Sequence, residues 1–467
     1  MCGIIGVFNV AEASKFAALG LHNLQHRGQE GAGMISKSDE FHFHTDFGRV
    51  HDIFGDNKVI DKLPGDMAIG HVRYSTAGGP SKANVQPLYC DLDFGGFAIA
   101  HNGNLTDAEH VRKTLIADGA IFQTTTDTEN IPHIMAQKFK NKSPVERFIN
   151  TLQEVNGAFS IITFINDKMV IARDPNGYRP LCIGRFETGY AVASESCALD
   201  MIGATEIRDV EPGEIIILDK ARVGLKDELK AHVIEWEIKK KFCIFEHIYF
   251  ARPDTIFDDN LVYSVRKRIG QELAKESAVE CDMVVPVPDS GVPSALGYSQ
   301  ETGIPFEIGI TRSHYRGRTF IQPTQSIRNL GVKLKHSAMR LFKDKSITIV
   351  DDSIVRGTTS KKIVAMAREA GANEVHMRIA SPPVTGPCYY GIDTPTRKEL
   401  VASSYTVEEV RQYINADTLS YLSIPGLYKA VSNSEGNGYC DACFTGNYPI
   451  ADKPQSLDYP RLYEGNV

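Results

Sequence analysis

Short runs of β-branched and apolar residues, separated by turn residues, recur along this chain of 467 residues. In the first half, such runs predict strands at Phe159–Asn166, Met169–Ala172, Tyr190–Ser194 and Glu214–Leu218. In the second half, apolar strands alternate with helical patterns through Glu276–Ser381, which predicts a parallel sheet with helices on both faces. Between these regions, around residues 220–245, the composition becomes charged and predicts a solvated crossover. The pattern therefore predicts two regions of different organisation.

The most informative element of the second region is the run Ile347–Val350, which predicts a buried parallel strand. Asp351 and Asp352 follow at its carboxyl end, where open α/β sheets bind their ligands. The turn continues with a glycine and three hydroxyl residues, Gly357, Thr358, Thr359 and Ser360. A helical pattern then covers Lys361–Ala370. A turn of this kind at a helix N-terminus can bind a phosphate through backbone N–H groups and hydroxyls.

The two acids cannot bind that phosphate themselves, but they suit vicinal hydroxyls or a hydrated Mg²⁺ beside a sugar phosphate. An Asp-Asp pair alone is more often a solvated acidic turn. The order of strand, acids, glycine and hydroxyls is much more specific, and it resembles the phosphoribosyl pyrophosphate motif of type I phosphoribosyltransferases. By this resemblance Asp351 and Asp352 hold the ribose hydroxyls and Mg²⁺, and residues 357–360 anchor the 5-phosphate.

Two further stretches fit the same resemblance. The predicted strand Met283–Val287 leads into a turn that resembles the pyrophosphate loop of this family, with Ser290 near the metal. The basic and aromatic stretch 312–323 is either a surface loop or a lid whose arginines meet the pyrophosphate and exclude water. The resemblance adds four residues to the substrate site, Asp289, Ser290, Gly291 and Arg318.

The first region begins with Cys2, which is followed by Gly3. Removal of Met1 would make Cys2 the terminal residue, with an α-amine of pKa about 7.7–8.0 next to its thiol. Such an amine can act as the general base for a terminal nucleophile. The alternative is that Cys2 is a small buried residue of an edge strand.

Four more stretches bear on this choice: Leu24–Glu30, Gly70–Gly78, His101–Leu105 and Thr124–Glu129. The first closes a helical pattern, and the second places Arg73 at a strand end, where it can hold a carboxylate. In the third, which follows a predicted strand at Phe97–Ala100, Asn102 and Gly103 supply the donors of an oxyanion hole. In the fourth, Asp127 could pair with an ammonium group. Each stretch alone reads as a turn or a cap.

In this order after a penultimate cysteine, the stretches resemble the N-terminal-nucleophile glutamine amidotransferase domain. The resemblance covers residues 2–235 and leaves residues 236–467 to the phosphoribosyltransferase domain with a helical and cysteine-bearing tail. It implies an α+β fold of two antiparallel sheets between helices (αββα), followed by the α/β domain. It implies Cys2 as nucleophile with Asn102 and Gly103 as oxyanion donors. The residues expected to bind glutamine are Arg73, Thr76 and Asp127.

Taken together, the two halves resemble the glutamine phosphoribosylpyrophosphate amidotransferase family over nearly the whole chain. The resemblance implies transfer of ammonia from glutamine to phosphoribosyl pyrophosphate, which yields 5-phosphoribosylamine, glutamate and pyrophosphate for purine synthesis. It also implies one Mg²⁺ per subunit, inhibition by purine nucleotides and a homotetramer. Two alternatives stay open: a non-catalytic sensor of phosphoribosyl pyrophosphate, and another enzyme that aminates a sugar phosphate with glutamine.

Nine cysteines in a chain of this size do not predict a disulfide framework. Cys440 and Cys443 form a C-x-x-C in a glycine-rich turn, but the long distances to Cys243 and Cys388 leave a cluster, zinc or no metal open. One branch of the family carries a [4Fe–4S] cluster on four cysteines in these contexts, which implies one cluster per subunit here. Members with a cluster often begin with a short propeptide, whereas this chain begins at Met1-Cys2. Apart from Cys2 and these four, the other cysteines are predicted core residues: Cys90, Cys182, Cys197 and Cys281.

Composition limits the partners. The formal net charge of −7 argues against a general nucleic-acid or anionic-membrane partner. No apolar run approaches the roughly 18 residues of a membrane span, and the first residues lack the features of a signal peptide. We therefore expect a cytoplasmic protein that binds small molecules.

Overall fold

A computed structural model of the chain describes residues 1–74, 79, 81–224, 229–233, 236–312, 336–394, 396–432 and 438–450. Thr76, Arg318 and nearly all of the predicted lid lie outside these residues. The predicted domain boundary at residue 235 also lies outside the described residues and stays a prediction.

The described residues of the first half form two antiparallel sheets. The larger sheet comprises β1 (Gly3–Phe8), β2 (Gly31–Lys37), β3 (Phe41–Phe47), β4 (Met67–Arg73), β9 (Cys182–Phe186), β10 (Gly189–Ala193) and β11 (Thr205–Asp209), in the order β11-β9-β10-β1-β4-β2-β3. The smaller sheet comprises β5 (Leu88–Leu92), β6 (Gly95–Leu105), β7 (Gly157–Ile165), β8 (Lys168–Arg173), β12 (Glu214–Asp219) and β13 (Lys230–Val233), in the order β13-β12-β8-β7-β6-β5. The pairing within both sheets is antiparallel, for example β1 with β4 and β6 with β7.

The two sheets face each other across a common core and carry helices on their outer faces. Ile4 and Ile69 of the larger sheet pack with Ala100 and Ile162 of the smaller sheet in one buried cluster. The helices of this half are α1 (Ala13–Asn23), α2 (Val50–Phe54), α3 (Asn57–Ile60), α4 (Ala108–Ala117), α5 (Asn130–Gln137), α6 (Pro144–Gln153) and α7 (Ser196–Ile202). Helices α1, α2 and α7 pack on the larger sheet, whereas α5 and α6 pack on the smaller one. This layering confirms the predicted αββα arrangement.

The second half is built on a parallel sheet of four described strands. They are β17 (Met283–Pro286), β20 (Ser346–Asp351), β21 (Glu374–Ile379) and β22 (Thr418–Tyr421), in that spatial order. The helices are α8 (Val262–Ser277), α9 (Val292–Thr302), α10 (Thr358–Glu369), α11 (Val401–Ser404), α12 (Val407–Ile414), α13 (Ile424–Ala430) and α14 (Ala442–Thr445). Val350 packs on the side of α8 and α9, and Ile349 packs on the side of α10 and α12. The predicted parallel sheet with helices on both faces is confirmed.

Short strand pairs complete the second half. They are β14 (Lys241–Cys243) with β23 (Gly438–Cys440), β15 (Ile256–Phe257) with β16 (Asn260–Leu261), and β18 (Ile310–Arg312) with β19 (His336–Ala338). A π-helical turn covers Glu246–Phe250. No described helix combines the length and the apolar character that crossing a membrane requires.

Element boundaries differ from the predictions where long-range pairing extends a strand. The predicted strand at Phe97–Ala100 continues to Leu105, because β6 pairs with β7 through Leu105 and Gly157. The spacing Thr106-x-x-Glu109 is that of a capping box and predicts a helix start at Thr106, which is wrong for the same reason. Thr106 N–H still donates to the Asn156 carbonyl at 2.8 Å, so the helix begins later, with Asp107 as its N-cap. The same spacing at Ser143-x-x-Glu146 and Thr406-x-x-Glu409 predicts two further capping boxes, and both are confirmed.

Candidate active sites

Cys2 lies immediately before β1, which is a central strand between β10 and β4. The edge-strand interpretation of Cys2 is therefore wrong. The half-buried thiol donates to the Tyr74 carbonyl at 3.5 Å, and the backbone N–H of Cys2 donates to Asn102 Oδ1 at 3.3 Å. The Arg27 Nε–H donates to the Cys2 carbonyl at 3.0 Å. Side chains and backbone from three separate segments thus hold this residue.

Met1 precedes Cys2 in this structure and is buried, with its sulfur accepting a hydrogen bond from Arg27 Nη2 at 3.0 Å. Burial lowers the pKa of the Met1 amine to about 6. The nitrogen of Cys2 is an amide here, so a terminal amine of Cys2 would exist only after Met1 is removed. The amine-as-base hypothesis stays a prediction.

Asn102 and Gly103 lie within β6 rather than after it, beside the backbone of Cys2. The Nδ2 group of Asn102 is buried and has no hydrogen-bond partner among the described residues. A β-carbon at Gly103 would lie 2.0 Å from the Ala158 carbonyl oxygen, so the neighbouring strand leaves room only for glycine. The site therefore presents a buried amide donor that no atom of the described residues uses, which is the property an oxyanion donor needs.

Arg73 and Asp127 are the residues expected to bind the α-carboxylate and the α-ammonium of glutamine. Arg73 ends β4, is buried, donates to the Gly79 carbonyl at 3.1 Å and lies 3.8 Å from Glu30 Oε2. Burial lowers the pKa of Arg73, and the Glu30 carboxylate opposes that effect. Asp127 is buried and accepts from the Leu105 N–H at 2.8 Å, which ties it to the end of β6.

His71 is a buried neighbour of this region that the sequence reasoning missed. Neither ring nitrogen has a hydrogen-bond partner among the described residues. Burial and the charge of Arg73 lower the pKa of His71 to about 3, so its ring is neutral at physiological pH.

The second site lies at the carboxyl end of β20, as predicted. Asp351 and Asp352 are both buried, and the hydroxyl of Ser290 donates to Asp352. Ser353 Oγ donates to the other oxygen of Asp352 at 2.6 Å. Burial raises the pKa of both carboxyls, and the charge of Asp352 raises that of Asp351 further. Two adjacent buried carboxyls whose ionisation is unfavourable form a site that a cation would stabilise.

Two loops border these acids. A β-carbon at Gly291 would lie 2.6 Å from the Val350 carbonyl oxygen, so the predicted pyrophosphate loop approaches β20 as closely as only glycine allows. The carboxylate of Asp289 is exposed and pairs with Arg312 Nη1 at 2.9 Å. On the other side, Gly357 has φ of +73° and precedes α10. Thr358 and Thr359 are exposed in the first turn of α10, whereas Ser360 is buried.

The four cysteines expected to bind a cluster come from distant parts of the chain to one region. Cys243 and Cys440 are partners in the parallel pair of β14 and β23. Burial and the nearby charges of Cys243, Cys388 and Cys440 raise the pKa of Cys443, and burial raises that of Cys243 to about 11. Cys388 and Cys443 pack against the buried cluster that contains Cys243, and Cys388 and Cys440 pack against a second cluster, so the four cysteines lie in one region. Across the described ranges, however, no group of three or more His, Cys, Asp or Glu side chains is arranged to hold a metal ion.

Other site residues were missed because their partners lie far away in sequence. Arg266 is buried and its guanidinium donates to the His247 and Ala251 carbonyls, near the charge of Asp352. Its position in α8, on the buried stripe with Val262, Val265 and Ile269, is a signal that could have identified it. Arg27 and Glu246 have no comparable signal.

Comparisons with known proteins cover both sites. The profile of the glutamine amidotransferase domain matches residues 71–201, and that of the phosphoribosyl transferase domain matches residues 254–380. Amidophosphoribosyltransferase of Rhizobium etli is 49% identical over 455 residues, which cover 96% of this chain and 91% of that protein. The Bacillus subtilis enzyme is 47% identical over 456 residues, covering 96% and 94%.

Among solved structures, the glutamine phosphoribosylpyrophosphate amidotransferase of B. subtilis, complexed with ADP and GMP, superimposes with a TM-score of 0.90. The two chains share 45% sequence identity, and the match covers 97% of this chain and 99% of that one.

Proposed function

The chain belongs to the amidophosphoribosyltransferase family, and from that premise we propose how its two sites divide the reaction. It is a glutamine-dependent amidophosphoribosyltransferase of purine biosynthesis. The enzyme converts glutamine, phosphoribosyl pyrophosphate and water to 5-phosphoribosylamine, glutamate and pyrophosphate. Because the relatives that match 96% of the chain are amidophosphoribosyltransferases, a non-catalytic sensor and an enzyme that aminates a different sugar phosphate are set aside.

In the first site, the thiol of Cys2 attacks the side-chain amide carbon of glutamine, and ammonia leaves from the tetrahedral intermediate. Water then hydrolyses the thioester and releases glutamate. The observation that carries this assignment is the buried Nδ2 of Asn102 beside Cys2, for which the described residues offer no hydrogen-bond partner. That group, with the N–H of Gly103, would donate to the oxyanion of the intermediate. Arg73 and Asp127 would bind the α-carboxylate and α-ammonium of glutamine; Thr76, which lies outside the described residues, is proposed to assist them.

In the second site, ammonia attacks C1 of the sugar and pyrophosphate leaves. Asp351 and Asp352 would bind the ribose hydroxyls and, with Ser290, one Mg²⁺ per subunit. When bound, Mg²⁺ would neutralise charge on the departing pyrophosphate. The buried pair of carboxyls fits this ion, since few protein ligands and several substrate oxygens are typical for Mg²⁺.

The loops of the second site would bind the phosphates. We assign the pyrophosphate to the turn of Asp289, Ser290 and Gly291, and to Arg318, which lies outside the described residues. The 5-phosphate would bind at the N-terminus of α10, with Gly357, Thr358, Thr359 and Ser360 as its cradle. The exposure of the two threonine hydroxyls supports this role, because they can meet a ligand without any rearrangement of the helix.

The [4Fe–4S] cluster is the remaining cofactor proposal. The thiols of Cys243, Cys388, Cys440 and Cys443, which lie in one region, match the donor set of such a cluster in type and number. Bound there, the cluster would tie the segment after the crossover to the C-terminal turn. A cluster on cysteine thiolates requires reduced cysteines, which persist in a reducing compartment, and on that ground we propose a cytoplasmic location.

Regulation is proposed from a solved relative, and assembly from the family resemblance of the sequence. The related B. subtilis structure is complexed with ADP and GMP. We propose purine nucleotides as feedback inhibitors of this chain and a homotetramer as its assembly.

Separation of the two half-reactions tests the assignment. Cys2→Ala should abolish the use of glutamine and leave synthesis from high ammonium intact, because only the first site uses the thiol. Asp352→Asn should abolish both routes, since both need the sugar substrate. Pyrophosphate release measured with either nitrogen source reads out both variants. Equal loss of both routes in a folded Cys2→Ala variant would contradict the division of labour.

A further inference from the structure

A network of buried charges joins the two halves of the chain behind Cys2. Arg27 and Glu195 belong to the first half, and Glu246 begins the π-helical turn of the second half. The side chains of all three are fully buried. A fourth buried charge, Arg179, lies 3.1 Å from Glu246. Charges this deeply buried are costly unless each is paired, so the network has a defined geometry.

Arg27 is the member that reaches the nucleophile. Its Nε–H donates to the Cys2 carbonyl at 3.0 Å, and its two terminal nitrogens donate to Glu246 at 2.8 and 3.1 Å. Burial opposes the charge of Arg27, but the carboxylates of Glu246 and Glu195 raise its pKa above the ordinary value. The guanidinium is therefore a permanent cation, held on one side by Glu246 and fixing the backbone of Cys2 on the other.

Glu195 and Glu246 hold Arg27 in different ways. The carboxylate of Glu195 also accepts from His26 Nε2 at 2.7 Å, from the Arg252 N–H at 2.9 Å and from Thr255 Oγ1 at 2.7 Å. It stays well satisfied whatever Arg27 does. The described contacts of the Glu246 carboxylate, in contrast, run to Arg27 and Arg179. Arg27 donates one hydrogen bond to Glu195 and two to Glu246, so Glu246 makes the larger contribution to its orientation.

We infer that Glu246 is a positioning residue for the glutamine half-reaction: a carboxylate of the phosphoribosyltransferase half that, through Arg27, sets the position of Cys2. The inference rests on the proposed role of Cys2 as nucleophile. If the inference holds, the contact between the two halves determines how the Cys2 thiol is aligned with the Nδ2 of Asn102. A small displacement of the Cys2 backbone moves the sulfur relative to that donor, and misplacement by about 1 Å can cost roughly 100-fold in rate.

The substitution Glu246→Gln in the full chain tests this inference, because glutamine keeps the shape and removes the charge. Three quantities are measured: kcat and KM for glutamine hydrolysis, the second-order rate of Cys2 alkylation by iodoacetamide, and synthesis from ammonium. We expect kcat for glutamine and the alkylation rate to fall by about 10- to 100-fold. Synthesis from ammonium should be retained, which reports an intact second site and fold.

Asp209→Asn is the matched control. Asp209 also joins the halves, by accepting from the Asp258 N–H at 2.9 Å, but it has no described contact with Arg27. It should leave the alkylation rate unchanged. If Glu246→Gln does not fold, Glu246→Asp keeps the charge on a shorter side chain and should lower kcat for glutamine while synthesis from ammonium persists.

Alkylation and glutamine kcat within about twofold of the parent in the folded Glu246 variants would overturn the inference. Parallel loss of both synthetic routes in Glu246→Asp would also overturn it, because the residue would then serve the fold in general. These outcomes are distinct from failure of the proposed function, which would appear as retained glutamine use in Cys2→Ala.

Discussion

Replacement of Asn102 by alanine should separate catalysis from stability in this enzyme. The Nδ2 group of Asn102 is buried and has no hydrogen-bond partner in the part of the chain that the structure describes, so its hydrogen bond is expected to form only with the reacting amide. Removal of one oxyanion donor costs about 10²–10³ in kcat, equivalent to roughly 2.7–4 kcal/mol. KM for glutamine should change little, because the donor is aimed at the transition state.

The stability of the same variant follows from the same geometry. Loss of the 3.3 Å bond from Cys2 N–H to Oδ1 removes about 0.5–1.5 kcal/mol, whereas loss of an unsatisfied buried donor relieves about 1–3 kcal/mol. The small cavity left by the side chain opposes that relief. These contributions oppose one another, so the free energy of unfolding should change by less than about 1 kcal/mol. Denaturant unfolding and glutamine hydrolysis on the same preparation measure both effects.

Asn104→Ala is the matched control in the same strand. The Nδ2 of Asn104 is satisfied, because it donates to the Tyr389 carbonyl of the second half at 3.0 Å. Its loss should cost about 0.5–1.5 kcal/mol of stability without a hundredfold fall in kcat. A value of kcat for Asn102→Ala within about threefold of the parent would refute the oxyanion assignment. So would a loss that also appears with ammonium as the nitrogen source.

Two further predictions concern the second half. Burial raises the pKa of Asp351 in the folded state above the unfolded value of about 3.9, so stability falls as pH rises from there through the folded pKa. Asp351→Asn should therefore unfold at a higher denaturant concentration than the parent at pH 7, and the difference between the two midpoints should narrow toward pH 4. Both synthetic routes should be lost in this variant. Equal stability of variant and parent at pH 7 would contradict the prediction. Protein purified without oxygen should be brown, contain about four irons per chain and bleach in air, and replacement of Cys443 by serine should abolish the colour. A colourless, fully active anaerobic preparation would remove the cluster and leave both active sites in place.

Local patterns determined much of the fold, because they depend on residues adjacent in sequence. The apolar run Ile347–Val350 predicted a strand that the structure extends by one residue at each end. The cap at Ser143 was predictable because its partner Glu146 is three residues away. The position of Asp351 and Asp352 at the carboxyl edge followed from strand direction alone, since parallel strands end at a common edge.

Only the tertiary structure decided how far β6 extends and which charges are buried together. Pairing with β7 extends β6 beyond Asn102, and the residues of β6 alone do not predict that pairing. Arg27 and Glu246 are 219 residues apart, and the sequence around each residue does not indicate the other as its partner. They pair because folding removes both side chains from water, and the opposite charge of each then compensates the desolvation of the other. A local pattern carries no information about such a partner, which is why the link between the second half and Cys2 is visible only in three dimensions.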